Sequence, residues 1–368
     1  MRKSLLCCAA LALLTILAPV SSGQASAPQP TEWRDAAQFD VEGRGWTQTE
    51  AAWDRLPASA KGVVPASVWG LSKHSAGICV RFRASGRIFV RWSLTSDNLA
   101  MPHMPATGVS GVDLYARGAR GKWFYVSNGR PERREGNVAA FDTGAANGVP
   151  RECLLYLPLY NGAAKVEIGA APGSRIETDE PRPHSKSRAI VVYGTSIVQG
   201  GCASRPGMAW PAILGRMLDR PVVNLGFSGS GRMEPEVDNC IAELDPAAFV
   251  VDCLWNMAGF DDRLLTDRIE TLVRTLRKAH PDTPIFLVGQ SNIHPEAHPT
   301  HASQLQEEVA GRLRDEGIKR IFVVPGAILL GKDGEGTVDG VHPSDLGMQR
   351  QAEALAPILA RVLGGRAQ

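Results

Sequence analysis

Apolar and polar positions change period once along the chain. Before about residue 176 they alternate. Ile78–Arg83 (Ile-Cys-Val-Arg-Phe-Arg) and Arg87–Ser93 (Arg-Ile-Phe-Val-Arg-Trp-Ser) show it most plainly. Val112–Ala116, Lys122–Val126, Glu152–Leu157 and Lys165–Ile168 continue it, with Gly, Asn and Pro between them. Period two over such short runs predicts strands that show one face to a core, packed as a β-sandwich or jelly roll. After the polar, Pro-rich run Glu177–Lys186 the texture changes. Five short apolar runs (Ala189–Tyr193, Val222–Leu225, Phe249–Leu254, Ile285–Gly289 and Ile321–Val324) alternate with segments of helical period. Leu264, Leu265, Ile269, Leu272, Val273 and Leu276 form one stripe of a helix that Asp261 or Asp262 caps and Pro281 stops. A second helix is expected over Ala302–Glu316, ended by Gly317, and a third from an N-cap at Ser344 to about Leu363. Continuous apolar strands between helices read as βαβ units around a parallel, doubly wound sheet. The pattern divides the chain into an all-β part at 28–176, a linker at 177–187 and an α/β part at 188–368.

The carboxyl ends of strands in an open α/β sheet are where ligands bind, and backbone N–H groups there are free to face an anion. Ser196 follows the first of these strands, in Tyr193-Gly-Thr-Ser196. Asn224-Leu-Gly-Phe-Ser-Gly229 follows the second, Leu254-Trp-Asn256 the third, and Asp339-Gly-Val-His342-Pro343 precedes the last helix. A serine hydroxyl is a poor nucleophile until a base takes its proton. His342 is the candidate base, because imidazole accepts and returns a proton near neutrality. Asp339, three residues earlier, is placed to hold the imidazole tautomer and stabilise the imidazolium.

In this order and spacing the four blocks resemble the signature blocks of the SGNH, or GDSL-type, esterases and acylhydrolases. Gly111-Val-Asp-Leu-Tyr115 resembles the GxDLY motif of an N-terminal domain found on one branch of that family. The resemblance implies a flavodoxin-like three-layer α/β/α SGNH hydrolase domain preceded by the β-sandwich. It implies Ser196 as nucleophile, His342 as base and Asp339 as its orienting partner. The oxyanion hole would be the backbone N–H of Ser196, the backbone N–H of Gly229 and the side chain of Asn256. Gly226 is a rival for the glycine, and the spacing from Asn224 favours Gly229. It implies no cofactor and no metal. Two departures touch substrate preference rather than chemistry: Gly-Thr-Ser stands for Gly-Asp-Ser, and Leu-Trp-Asn-Met for Gly-x-Asn-Asp. Trp255 then stands beside the pocket, as an apolar wall, a sugar-stacking face or simply core.

Composition narrows the setting. Of 368 residues, 40 are Lys or Arg and 38 Asp or Glu, so no basic excess points to a nucleic-acid partner. Arg2 and Lys3 precede the apolar run Leu5–Val20, and small residues follow to Ala27, the pattern of a secretory signal peptide over residues 1–27. Cleavage near Ala25 or Ala27 leaves a secreted or periplasmic protein with no stable membrane insertion; a retained anchor is the alternative. Five cysteines then remain: Cys79, Cys153, Cys202, Cys240 and Cys253. An odd number leaves one unpaired. Cys202 and Cys253 flank neighbouring strand ends, so either a disulfide joins them or both are buried thiols.

Other features carry less. His294, His298 and His301 are close enough in sequence to suggest zinc, but they lie among Pro and Thr and read as a solvated or lid-forming loop. Arg205 and Glu234 either contact substrate or pair at the surface. Trp123 and Tyr125, on an aromatic-rich strand, are candidates to face the cleft. The expected activity is hydrolysis of short acyl esters, O-acetyl foremost, on carbohydrate or another small ester, through an acyl-serine. An acyltransferase or lipid/short-chain acylhydrolase with the same residues is the nearest alternative, and a non-catalytic carbohydrate-binding protein the next.

Overall fold

In the computed structural model, residue 30 and residues 32–145 and 148–364 are described. The export signal expected at 1–27 lies outside the described residues. Ten antiparallel strands come first: β1 (Arg34–Asp35), β2 (Asp40–Glu42), β3 (Cys79–Ser85), β4 (Arg87–Leu94), β5 (Val112–Arg117), β6 (Trp123–Gly129), β7 (Asn137–Asp142), β8 (Arg151–Tyr156), β9 (Ala163–Ala170) and β10 (Arg175–Glu177). One sheet runs β1-β9-β4-β7 and the other β10-β3-β8-β5-β6, with β2 on the edge of β3. Alternation places Val80 and Phe82 of β3, Ile88, Val90 and Trp92 of β4, Leu114 of β5 and Leu155 of β8 between the sheets. Trp92 is fully buried there, and its indole N–H donates to the Ser110 carbonyl at 3.1 Å. The alternate positions of β3, β5 and β8 face the other way. Cys79, Tyr115, Leu154 and Tyr156 pack with Ala212 of the second domain, so this sheet is apolar on both sides.

The second domain holds β11 (Ile190–Gly194), β12 (Val222–Gly226), β13 (Ala248–Asp252), β14 (Ile285–Val288) and β15 (Ile321–Val324). All pair in parallel, in the order β12-β11-β13-β14-β15. The first strand lies inside the sheet, between β12 and β13, which is the flavodoxin-like winding, and the order switches between β11 and β13. Val191, Tyr193, Phe249, Val251, Ile285 and Leu287 face one layer of helices. Ile190, Val192, Ala248, Val250, Phe286 and Val288 face the other.

Nine α-helical segments are described. Two short ones lie in the first half, α1 (Ala66–Leu71) and α2 (Ala106–Val109), and α3 (His184–Ser187) lies in the linker. The second domain carries α4 (Ser196–Gln199), α5 (Trp210–Leu218), α6 (Pro235–Ile241), α7 (Asp262–Ala279), α8 (His301–Asp315) and α9 (Asp345–Val362). The Asp261 side chain caps α7 through the Leu264 N–H, and Ser344 caps α9. Leu265, Ile269, Leu272, Val273 and Leu276 of α7 are buried, each contributing roughly 1.5–3 kcal/mol. Leu264, expected in that stripe, is 38% exposed. It lies about a quarter-turn off the buried stripe that starts at Leu265.

Residues early in the chain enter the later core. Leu56, Ala60, Val64 and Val68, between β2 and β3, pack with Val223, Leu225 and Phe227 of the hydrolase side. The disulfide considered for Cys202 and Cys253 is not formed, and all five described cysteines are free and buried. The two thiols lie in different surroundings. Cys253 is in the core with Tyr193 and Phe227, its thiol toward the Tyr193 carbonyl. Cys202 stands past the end of α4, near Asp339 and Tyr160. No helix among the described residues is long and apolar enough to cross a membrane.

Candidate active site

β11 ends at Gly194, and Thr195 turns the chain into α4. The Thr195 hydroxyl accepts from the Ile197 N–H at 3.2 Å, capping the helix. A capping threonine thus occupies the place where the family has aspartate. Ser196 is the first helical residue, so its N–H has no acceptor within the helix. Gly200, at φ 108°, ends the helix after one turn. Ser196 is mostly buried, and its Oγ lies 2.8 Å from His342 Nε2.

His342 lies in a tight loop closed by a bridge between Thr337 and Pro343. Asp339 Oδ1 accepts from the Val341 and His342 N–H groups at 3.0 and 2.7 Å, and Oδ2 lies 2.7 Å from His342 Nδ1. An ionised carboxylate only accepts, so Nδ1 carries the proton and Nε2 is left to accept from the serine. Burial works to raise the Asp339 pKa, but the His342 N–H, the imidazole and the Val341 N–H outweigh it and hold the carboxyl at about 2. It remains charged at any working pH.

The loop after β12 lies directly on the end of β11. A Cβ on Gly231 would stand 2.0 Å from the Gly194 carbonyl oxygen, and one on Gly226 2.1 Å from the Gln199 nitrogen. Gly226 is therefore pressed against α4, and its N–H is already spent on Asn224 Oδ1 at 2.9 Å. Gly229 differs. Its φ is +70°, nothing lies within 4 Å of where its Cβ would be, and its N–H has no partner among the described residues. Between the two glycines, only Gly229 has an N–H to offer. Asn256 follows β13 in a short 3₁₀ turn, Leu254–Met257. Its amide satisfies its neighbours when Oδ1 accepts from the Ser230 and Gly231 N–H groups, at 3.1 and 3.0 Å. Nδ2 is then turned away from that loop. Trp255 is half-buried, packs at the edge of the core, and donates from Nε1 to Ser291 Oγ at 3.1 Å.

The first domain supplies four residues that the four sequence blocks do not contain, Tyr160, His74, Arg55 and His103, with Gln199 of α4 between two of them. Tyr160 donates its hydroxyl to the Ser196 carbonyl at 3.2 Å. Gln199, wholly buried, accepts from the Ser228 N–H at 3.0 Å, while its Nε2 faces His74 Nδ1 and the Leu159 carbonyl. Burial and the nearby Arg55 charge pull the His74 pKa down to about 4, so this imidazole is neutral. Arg55 is buried without a carboxylate. It donates to the carbonyls of His74 (2.8 Å), Leu71 (2.7 Å), Asn224 (3.2 Å) and Gly226 (2.6 Å), over the Phe227 ring. Burial lowers its pKa to about 9, and it stays charged at neutrality. The imidazole of His103 lies beside that of His342, with ring centres 6.2 Å apart. None of these stands in a motif, and only the meeting of the two domains brings them to the site.

The Gly111–Tyr115 motif has a physical reading of its own. Leu114 faces the sandwich core, and Asp113 and Tyr115 face the second domain. Asp113 accepts from Arg205 Nη1 at 2.7 Å and from the Gly207 N–H at 3.0 Å, and the Tyr115 hydroxyl meets the same guanidinium nitrogen at 2.6 Å. Arg205 is thus a clamp between domains, not a substrate contact. Glu234 accepts from the Tyr193 hydroxyl and the Arg232 N–H, below the site. Tyr125 stacks under Arg205, and Trp123 under Arg117. Both line a groove with Arg216 and Gln349 that contains none of Ser196, His342 and Asn256, so neither faces the cleft. His294, His298 and His301 point to three different partners: Glu296, the Asn292 carbonyl and Asp262.

A buried serine in line with a half-buried imidazole and an exposed carboxylate, beside unspent N–H groups at the end of a parallel sheet, defines a hydrolase of the acyl-transfer kind. Residues 187–360 match the GDSL-like lipase/acylhydrolase family, and residues 31–176 match the GxDLY N-terminal domain of SGNH-hydrolase-type esterases. A Bacteroides ovatus protein described as a GDSL-like lipase is 33% identical over 92% of this chain and 99% of its own, with a TM-score of 0.82. The chain belongs to the GDSL-like lipase/acylhydrolase family and is a carboxylic-ester hydrolase. The fold is shared with a salicylyl-acyltransferase of a tetracycline biosynthetic pathway (19% identity, 90% and 97% of the two chains, TM-score 0.72). It is also shared with a family two carbohydrate esterase from Clostridium thermocellum, solved with cellohexaose (17%, 78% and 93%, TM-score 0.58). No curated protein matches the chain.

Proposed function

We propose that the protein is an exported serine esterase that removes short acyl groups, O-acetyl foremost, from carbohydrate. The single observation that carries the reading is the line Asp339–His342–Ser196, at 2.7 and 2.8 Å. Ser196 Oγ attacks the ester carbonyl carbon as its proton passes to His342 Nε2. The tetrahedral oxyanion is met by the N–H groups of Ser196 and Gly229 and by Asn256 Nδ2. The intermediate collapses to acyl-Ser196, and the imidazolium gives its proton to the departing alkoxide. Water, deprotonated by the same imidazole, then releases the acid. Asp339 stays ionised throughout and holds the ring.

The carbohydrate assignment draws support from the sandwich partner domain and from fold likeness to carbohydrate esterases, one of them an acetyl xylan esterase from Butyrivibrio proteoclasticus (13% identity, TM-score 0.58). Export rests on the basic, apolar and small-residue sequence of residues 1–27. A second reading, acyl transfer to an alcohol in place of water, is favoured by the likeness to the salicylyl-acyltransferase over 90% of this chain.

The test is hydrolysis of p-nitrophenyl esters from acetate to octanoate, by the mature protein and by Ser196→Ala. Activity strongest on acetate and reduced by at least ~10³-fold in the variant is expected. Full activity of Ser196→Ala would remove the nucleophile assignment. A preference for longer chains would move the substrate toward lipid.

A further inference from the structure

Resting on the esterase reading, we propose that His103 of the sandwich domain contacts the alcohol half of the ester and selects polyhydroxylated alcohols. His103 lies in a turn closed by reciprocal hydrogen bonds between Met101 and Met104, at 3.0 and 3.1 Å. The turn is fixed to the hydrolase domain from its far end. Met104 is buried with Ile197, Val198 and Ala203. Thr107 Oγ1 donates to the Ser204 carbonyl at 2.6 Å, and Gly108 fits so tightly that a Cβ there would stand 2.2 Å from the Ala203 carbonyl oxygen. Ser204 is itself held by Asp345, through its backbone N–H at 2.8 Å. His103 is thus an exposed side chain on an anchored turn, and it makes no hydrogen bond among the described residues.

Its position follows the chemistry of the leaving group. The proton that His342 returns goes to the departing alkoxide, so the ester's alcohol oxygen must come within about 3 Å of Nε2. The atoms attached to that oxygen extend past the imidazole. The His103 ring is centred 6.2 Å from that of His342 and tilted 39° to it, beside the imidazole that hands the proton to that oxygen. The oxyanion groups, by contrast, come from Ser196 after β11 and from the loops after β12 and β13. A neutral imidazole presents one donor and one acceptor on opposite edges of its ring, so one nitrogen pairs with a hydroxyl carried near the ester oxygen, which a plain aryl or alkyl alcohol lacks. An acyl acceptor other than water would enter by the same side, so His103 also bears on transfer.

The test uses the full mature protein and two substrates with one acyl group: a mono-O-acetylated methyl glucoside and p-nitrophenyl acetate. The readout is the ratio of their kcat/KM values. His103→Ala is expected to lower the ratio by about fivefold or more, the worth of one to two hydrogen bonds. His103→Gln, which keeps a donor and an acceptor, is expected to recover part of it. A turn that merely held His342 in place would lower both substrates together. An unchanged ratio in His103→Ala therefore overturns the proposal, whether or not the absolute rates fall. Wild-type protein that cleaves p-nitrophenyl acetate but not the acetylated glucoside overturns the polyol preference while leaving the esterase standing. Wild-type protein inactive on both defeats the esterase reading, and this one with it.

Discussion

Replacing Arg55 by methionine tests whether the sandwich domain holds the oxyanion loop in place. Methionine matches the stem of arginine and removes the guanidinium. Four carbonyls then lose a donor, two on the sandwich side (Leu71 and His74) and two on β12 (Asn224 and Gly226). At about 1.5 kcal/mol for each bond from a charged donor, the gross loss is about 6 kcal/mol. Against this, the guanidinium no longer has to leave water, which returns several kcal/mol. The net expected destabilisation is about 2–3 kcal/mol, with the buried carbonyls left to find partners. The effect on catalysis follows from position: Gly226 ends β12 against α4, three residues before Gly229 in the loop that goes on to pack on Gly194. Full removal of an oxyanion donor lowers kcat by about 10²–10³, so a displaced one is expected to lower it by about tenfold. Urea denaturation followed by tryptophan fluorescence gives the first quantity, and p-nitrophenyl acetate hydrolysis well below the transition gives the second. An unchanged midpoint together with unchanged kcat would refute the argument. A lowered midpoint with full kcat would leave Arg55 as a domain fastener and cut its link to the site.

Two further predictions rest on single side chains. Asn256→Ala should lower kcat by about 10²–10³ with little change in KM, since an oxyanion donor acts on the transition state; a KM effect alone would assign Asn256 to ground-state binding. Asp238 on α6 is fully buried with neither carboxylate oxygen partnered. Burial, then Glu234 and Glu236, raise its pKa to about 8, with Arg268 opposing. The folded protein therefore keeps this proton while the unfolded chain loses it near the ordinary value, so stability falls as pH rises from about 4 to 8. Asp238→Asn should flatten that fall by roughly 3–4 kcal/mol between pH 5 and pH 8, and denaturation midpoints that decline equally in both proteins would contradict it.

What could be read from the chain alone divides along physical lines. The five parallel strands were legible because burial on both faces leaves an uninterrupted apolar run, and Ile321–Val324 is placed to the residue. The helices α7 and α9 were legible from stripe and cap. β7 was not: in Asn137–Asp142 only Asn137 and Phe141 are buried, and two alanines blur the alternation. Ser196, Asp339 and His342 were legible as candidates because each lies in a block of recognisable pattern, and the structure brings their side chains into line. Arg55 was not, since a lone arginine beside Asp54 reads as surface; its burial depends on carbonyls 169 and 171 positions away. His103 escaped for the same reason, being opposite His342 only after the domains meet. For Cys202 and Cys253 the chain left a disulfide and two buried thiols open, and the structure has the thiols: nearness in topology says nothing about which way two thiols point.

The exchange of Leu56, Ala60, Val64 and Val68 into the later core has a consequence for biosynthesis. These side chains leave the ribosome well before Val223, Leu225 and Phe227, the strand and loop residues that cover them. Until those emerge, the half-made chain carries an apolar patch, and Arg55 within it lacks the two β12 carbonyls that receive its charge. The sandwich can close early, but this excursion has to wait. A half-made chain in that state exposes that patch for an interval set by translation of the intervening residues, the interval in which a holdase would protect it.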